Sequence, residues 1–246
     1  MGLGIAAFVA GAINAVAGGG TLVSFPALLA AGYPGVTANV TNTVAIWPGT
    51  VGGSLAYLPE LRDQRARILV LGATSIVGAI LGSIILLVSP EALFDDLAPW
   101  LILFACLMLA LQTRLGRWVQ GRQEAERRGS LGVGLISAQL VAAMYGAYFG
   151  AGLGIVMLAF LGIFLPDALQ RVNALKGVLA LIINGVAAVA FGVFGPVVWS
   201  AALLMAVTSW FGGYFGVRVA RRLSATVLRT VVLLFGVTVA LTMIIE

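Results

Sequence analysis

Six stretches of this chain stay apolar for about the 20 residues a helix needs to cross the hydrocarbon core of a bilayer. They are Ala38–Tyr57, Ile68–Val88, Leu97–Thr113, Val172–Phe191, Val197–Val217 and Leu228–Ile245. Lipid offers no partner for a backbone N–H or C=O, so runs of this kind are helical. The composition points the same way: 61% of residues are hydrophobic, only 9% are charged, and the mean hydropathy is +1.09. Soluble domains run near a quarter charged. The expected fold class is an all-α polytopic membrane protein.

Two further apolar stretches, Leu3–Ala31 and Leu131–Leu165, are too long for one crossing and too short for two. Glycines interrupt each, at Gly18-Gly19-Gly20 and at Gly150-Ala151-Gly152. Charge decides how they run. The fourteen Lys and Arg fall into four clusters: Arg62, Arg65 and Arg67; Arg114, Arg117, Arg122, Arg127 and Arg128; Arg171 and Lys176; and Arg218, Arg221, Arg222 and Arg229. The connections Ser89–Asp96 and Gly192–Pro196 carry no basic residue. If each broken segment enters and leaves on one side, every basic residue is cytoplasmic, as the positive-inside rule prefers. The expectation is therefore two re-entrant, broken-helix hairpins, each followed by three transmembrane helices. Residues 1–246 form a single transmembrane domain, with repeat one over 1–115, a cytoplasmic connector over 116–130 and repeat two over 131–246. An odd number of crossings per repeat makes the two repeats inverted copies.

The halves also match in sequence. GGGT at 18–21 and GAGLG at 150–154 open corresponding arms, and Pro34 and Pro166 follow at the same offset of 132. Asparagine-bearing helix starts come next, ANVTNT from Ala38 and QRVNALK from Gln170, with a drift of a residue or two.

With the pattern NAVAGGGTLVSFPALLAAGYPGVTANVTNT, its second-half echo GAYFGAGLGIVMLAFLGIFLP, and the paired halves, nearly the whole chain resembles the TauE/SafE family of sulfite exporters. The resemblance implies a membrane transporter, an exporter of small anions such as sulfite, sulfonates or related organic anions. These motifs mark the family and leave the particular anion open. The short polar stretch at mid-chain leaves no room for the longer hydrophilic segment that many relatives carry there.

A membrane helix broken by glycine exposes backbone N–H groups, and a helix restarting at the break points its positive end inward. That is a site for an anion. Gly18, Gly19, Gly20 and Thr21 fit this description, as do Gly150, Gly152 and Gly154; the plainer reading is close packing of hairpin arms. Among polar residues inside apolar segments, Asn14, Thr21, Ser24, Asn42, Thr43, Asn173 and Asn184 qualify. Asn42 and Asn173 occupy nearly equivalent places in the two halves, and Thr43 adjoins the first of them. Lys176 is the only lysine, one turn past Arg171; it either snorkels to the cytoplasmic surface or offers positive charge to an anion. Trp47, at mid-span beside Pro48, reads first as packing. The candidate substrate-binding set is Gly18, Gly19, Gly20, Thr21, Asn42, Thr43, Gly150, Gly152, Asn173 and Lys176.

No histidine is present, and all nine acids fall in loops or at termini. A side-chain proton relay through the spans therefore has no members. The field alone can drive an anion out of a negative-inside cell: at 100 mV it supplies about 2.3 kcal/mol per charge, or about 4.6 for a dianion. The single cysteine, Cys106, lies in an apolar run and reads as packing. No cofactor and no metal site is expected. The expected partners are a small anionic substrate and the lipid bilayer, with no nucleic acid; a homo-oligomer is compatible with the sequence. No cleavable signal peptide is apparent, and the expected location is the cell (inner) membrane, multi-pass. An anion channel-like pore and a carrier of small carboxylates remain open alternatives. An intramembrane enzyme fits less well, because no paired acids or metal motif is visible.

Overall fold

Helix length separates the elements into two kinds. A computed structural model describes residues 2–16, 19–55, 61, 63–123, 132–165, 167–220 and 225–245. Among these are ten α-helices and no strand: α1 Gly2–Val16, α2 Thr21–Ala30, α3 Gly35–Leu55, α4 Arg65–Val88, α5 Glu91–Gln123, α6 Val133–Tyr148, α7 Leu153–Phe164, α8 Leu169–Phe194, α9 Trp199–Ala220 and α10 Ala225–Ile245. The helices α3, α4, α5, α8, α9 and α10 have at least 21 residues each. At 1.5 Å per residue that is about 31 Å or more, the thickness of a hydrocarbon core. The helices α1, α2, α6 and α7 have 15, 10, 16 and 12 residues. They reach only about 15–24 Å, too short to cross.

The six long helices coincide with the six expected spans, with shifted ends. Arg65–Val88, Glu91–Leu115 and Gln170–Phe194 are long and apolar enough to span on the described residues alone. The largest shift is in α5, which starts at Glu91 rather than Leu97 and runs on to Gln123, through the first part of the expected connector. Hydropathy reports the cost of leaving water, not the tendency to coil. The Arg, Leu and Gln residues after Thr113 are good helix formers. Pro90 stands at the helix start, where its missing N–H costs nothing, and its carbonyl accepts the Phe94 N–H at 3.2 Å.

The packing follows membrane rules. On α4 the buried face is Leu71, Gly72, Ser75, Gly78, Ala79, Gly82, Ser83 and Leu86. Ile76, Val77, Ile80, Leu81, Ile84 and Ile85 point outward. Small residues inside let backbones approach, while bulky apolar side chains face lipid. Gly78 and Gly82 accordingly sit against the backbones of Leu140 and Met144 on α6. Gly11 of α1 and Gly212 of α9 likewise meet the backbones of Ser209 and Phe8, on each other's helix.

These pairings come in twins. α1 packs on α9 as α6 packs on α4; α3 packs on α9 as α8 packs on α4; α2 packs on α10 as α7 packs on α5. Each short-helix pair is therefore seated against long helices of the other half. The elements recur along the chain too. Val16 and Tyr148 end the first short helices and Thr21 and Leu153 begin the second, both 132 residues apart, whereas Gly35 and Leu169, Arg65 and Trp199, and Glu91 and Ala225 stand 134 apart. The directions are fixed by contacts. Gly72 meets Ile182 while Gln64 bonds to Arg171, so α4 and α8 are parallel; Trp47 meets Gly185 while Val40 meets Gly195, so α3 and α8 are antiparallel. Gly134 at the start of α6 lies against the ring of Phe164 at the end of α7, so this pair begins and ends at one level.

Candidate functional site

The first break, between α1 and α2, is closed by its own residues. Gly19 has φ +104°, a conformation that favours glycine. The next amide, of Gly20, donates to Asn14 Oδ1 at 2.7 Å. The Ser24 hydroxyl donates to the Gly20 carbonyl at 3.2 Å. A Cβ at Gly20 would collide with the Ala10 carbonyl oxygen, so α1 and α2 touch backbone to backbone here. Thr21 is partly buried at the head of α2. Gly18 lies outside the described residues.

The second break, between α6 and α7, is built differently. Gly150 and Gly152 have φ +77° and +74°. The Tyr145 hydroxyl, one turn before the end of α6, donates to the Ala151 carbonyl between them. Across from it, Asn39 Nδ2 on α3 donates to the Tyr148 carbonyl at 2.7 Å. At the start of α7, Leu153 closes onto the Gly150 carbonyl, and Ile155 and Val156 onto that of Gly152. The Gly154 amide has no acceptor among the described residues. A Cβ at Gly154 would stand 3.9 Å from Lys176 Cδ, so the one lysine lies beside this helix start. Lys176 Nζ donates to Asn173 Oδ1 at 3.0 Å. Asn184 is near as well, its Oδ1 4.0 Å from a Cβ at Gly150, while its Nδ2 donates to the Ala180 carbonyl at 2.8 Å.

Both breaks face α5. A Cβ at Gly152 would lie 3.4 Å from Ala105 Cα, and one at Gly19 would lie 3.9 Å from Leu109 Cδ2. Ala105 and Leu109 are one turn apart, about 6 Å along the axis. Phe25 of α2 and Phe149 of the second break meet edge to face with centroids 5.4 Å apart. The structure thus brings Gly19, Gly20, Gly150 and Gly152 into one region and sets Lys176 and Asn173 beside the second break. Asn42 is 2% exposed, and its Oδ1 has no partner among the described residues. Thr43 donates to the carbonyl of Asn39 in its own helix at 3.0 Å.

Trp47 packs against Gly185 and donates from Nε1 to the Leu181 carbonyl at 3.4 Å, and Cys106 is buried opposite Gly236; both behave as packing residues. Asn39, Tyr145 and Gln139 did not figure among the sequence candidates. Gln139, fully buried on α6, donates to Ser75 Oγ at 2.6 Å. Only Asn39 carried a signal, being the first asparagine of the ANVTNT helix start.

At one end of the molecule, charged groups join the two halves. Arg67 pairs with Asp167 at 2.6 Å, Arg171 with Asp167 at 3.1 Å and with Asp63 at 3.9 Å, and Gln64 Nε2 donates to the Arg171 carbonyl at 3.0 Å. Burial alone would raise the Asp167 carboxyl. Hydrogen bonds from Arg67, from the Ala168 amide and from Arg171, with the charge of Arg171, outweigh it and hold the group below the ordinary carboxylate range. Among the described residues no group of three or more His, Cys, Asp or Glu could hold a metal.

Compared with known proteins, residues 3–243 match the family profile described as sulfite exporter TauE/SafE. A probable membrane transporter protein ORF9 of a Sinorhizobium species is 26% identical over 96% of this chain and 89% of its own length. A probable membrane transporter protein of Haemophilus influenzae is 27% identical over 93% of this chain and 88% of its own. The probable membrane transporter protein YfcA of Escherichia coli K12 is 28% identical over 86% of this chain and 77% of its own. No solved structure matches.

Proposed function

This chain belongs to the sulfite exporter TauE/SafE family of membrane transporters, and on that premise we propose that it exports small anions such as sulfite, sulfonates or related organic anions across the cell (inner) membrane. The observation that carries this reading is the start of α7. There a Gly154 amide without an acceptor among the described residues, at the positive end of a broken helix, lies beside the only lysine of the chain. The anion sits where the two breaks meet on α5, held by Gly19, Gly20, Thr21, Asn42, Thr43, Gly150, Gly152, Asn173 and Lys176. Lys176 supplies charge, and Asn173 positions it. The first break contributes shape rather than its Gly20 amide, which Asn14 occupies.

The architecture in this reading is a pair of inverted repeats, 1–115 and 131–246, joined by a connector over 116–130, each with a re-entrant hairpin and three spans in one transmembrane domain. Three observations support it. The short helices cannot cross, the helix pairings come in twins, and Arg67 touches Asp167. If the broken segments each crossed once, those last two residues would lie on opposite faces, about 30 Å apart. A site at the interface of two such repeats is the arrangement of an alternating-access carrier. A channel-like pore is the second reading, since the breaks of both halves meet on one helix.

Counterflow in proteoliposomes separates them. A carrier loaded with unlabelled sulfite or a sulfonate accumulates labelled anion transiently, and Lys176→Gln slows this. Simple dissipation of the gradient would favour the pore, and no anion-dependent flux of either kind would overturn the reading.

A further inference from the structure

Basic side chains gather where the first turns of α4 and α8 meet, and they differ in what answers their charge. Arg67 and Arg171 share Asp167, at 2.6 and 3.1 Å, and Arg171 also reaches Asp63 at 3.9 Å. Two arginines and two aspartates leave that cluster neutral. Lys176 lies five residues past Arg171, about 7 Å further along α8. Its Nζ donates to Asn173 Oδ1 at 3.0 Å, and that amide oxygen carries no formal charge. Among the described residues no Asp or Glu forms an ion pair with it. Its stem lies against the start of α7, with Cδ 3.9 Å from a Cβ at Gly154, where the helix end adds about half a positive charge of its own. The other repeat supplies no second cation at the matching position. The residue 134 before Lys176, the spacing at which α3 and α8 begin, is the buried amide Asn42.

We propose that the site beside Lys176 selects its ligand by valence: it takes a monoanion, such as an alkylsulfonate or hydrogensulfite, and rejects a dianion of similar size. This rests on the anion-transporter reading above and says which anions within it are admitted. A lone cation inside a membrane protein calls for a partner, and one lysine with one monoanion makes a neutral pair. That is the least costly form in which either charge leaves water. A dianion keeps a full negative charge after pairing with the lysine, and the half charge of one helix start is too small to cover it. Sulfite therefore enters with its proton on, and the anion's own proton, rather than a side chain, matches its charge to the site.

The test is titration calorimetry on the purified protein with three ligands alike in size and tetrahedral at sulfur: methanesulfonate with one charge, sulfate with two and methanesulfonamide with none. None of the three changes charge near neutral pH, and ionic strength is held with potassium gluconate. The wild type should bind methanesulfonate about tenfold or more tighter than either of the others. Lys176→Arg keeps the charge and should keep that order. Lys176→Gln makes the site neutral, so methanesulfonate should lose about tenfold or more while methanesulfonamide holds, leaving the uncharged ligand bound at least as tightly. Lys176→Met is read in its place if Lys176→Gln does not fold. Sulfate bound as tightly as methanesulfonate by the wild type overturns selection by valence and leaves the anion reading standing. A preference for methanesulfonate over methanesulfonamide that survives loss of the lysine overturns it too. Binding of neither anion to the wild type refutes the anion reading itself, and the proposal with it.

Discussion

The two breaks occupy equivalent places in the chain and do unlike things. At the first, Asn14 reaches across the glycines to cap Gly20, and the backbone of α1 presses on that of α2. At the second, two left-handed glycines are braced from behind by Tyr145 and Asn39, the Gly154 amide has no acceptor among the described residues, and a lysine stands beside it. A repeated architecture therefore need not mean a repeated chemistry. One copy caps its turn with its own side chain; the other leaves an amide beside its turn without an acceptor among the described residues.

Substitutions can break that contrast. The largest effect should come from Gly20→Ala, where a single methyl meets the Ala10 carbonyl. A monodisperse folded protein should not be recovered, and recovery at wild-type Tm would show that the first break is looser than described. Gly152→Val comes next. Its Cβ has ordinary contacts, so the cost lies in forcing a β-branched residue to φ +74°. The protein should still insert, with anion binding abolished; wild-type affinity would exclude the second break from the site.

A double dissociation sharpens the contrast further. Lys176→Gln should weaken anion binding by about 1.5–3 kcal/mol, the scale of a hydrogen bond to a charged group, and reduce its salt dependence, with little change in Tm. Asn14→Ala should do the reverse, costing about 1–3 kcal/mol of stability by stranding the Gly20 amide, with affinity kept. Titration calorimetry and thermal unfolding on both variants read the outcome, and affinity unchanged in Lys176→Gln would mean that the lysine only reaches for the surface.

The smallest effect concerns the charged junction between the halves. Asp167 is depressed in the folded protein, so its contribution to stability is present above the unfolded carboxyl value, near 3.9, and is lost as pH falls through the lower folded value. Tm of the wild type should drop as the pH is lowered below about 4. Asp167→Asn should start lower at neutral pH and lack that part of the drop. Parallel curves for the two proteins would show that Asp167 contributes nothing.

Hydropathy sufficed for the long helices because crossing lipid constrains about twenty residues at once. It missed the reach of α5, where helix formation and membrane solubility part company after Thr113. The glycine breaks were legible because Gly-rich runs inside apolar sequence have few other uses, and their spacing of 132 survives in the helix ends. Their difference was not legible. Asn14 stood out as a polar residue in lipid, yet nothing local says that its partner is an amide six residues on. Asn39 and Tyr148, or Arg67 and Asp167, lie about a hundred residues apart in the chain. Such partners belong to opposite halves, and residue spacing is silent about how halves dock.

That docking has a consequence for how the chain is made. The first short helix, α1, rests chiefly on α9, where Gly11 meets Ser209, in the last quarter of the sequence. A ribosome adding about 5–20 residues each second makes that partner roughly ten to forty seconds after it has made α1. Through that interval a short, uncharged helix must wait without the surface that chiefly holds it. A nascent chain stopped before α9 should therefore expose its first segment to protease or chaperone, and one stopped after it should not.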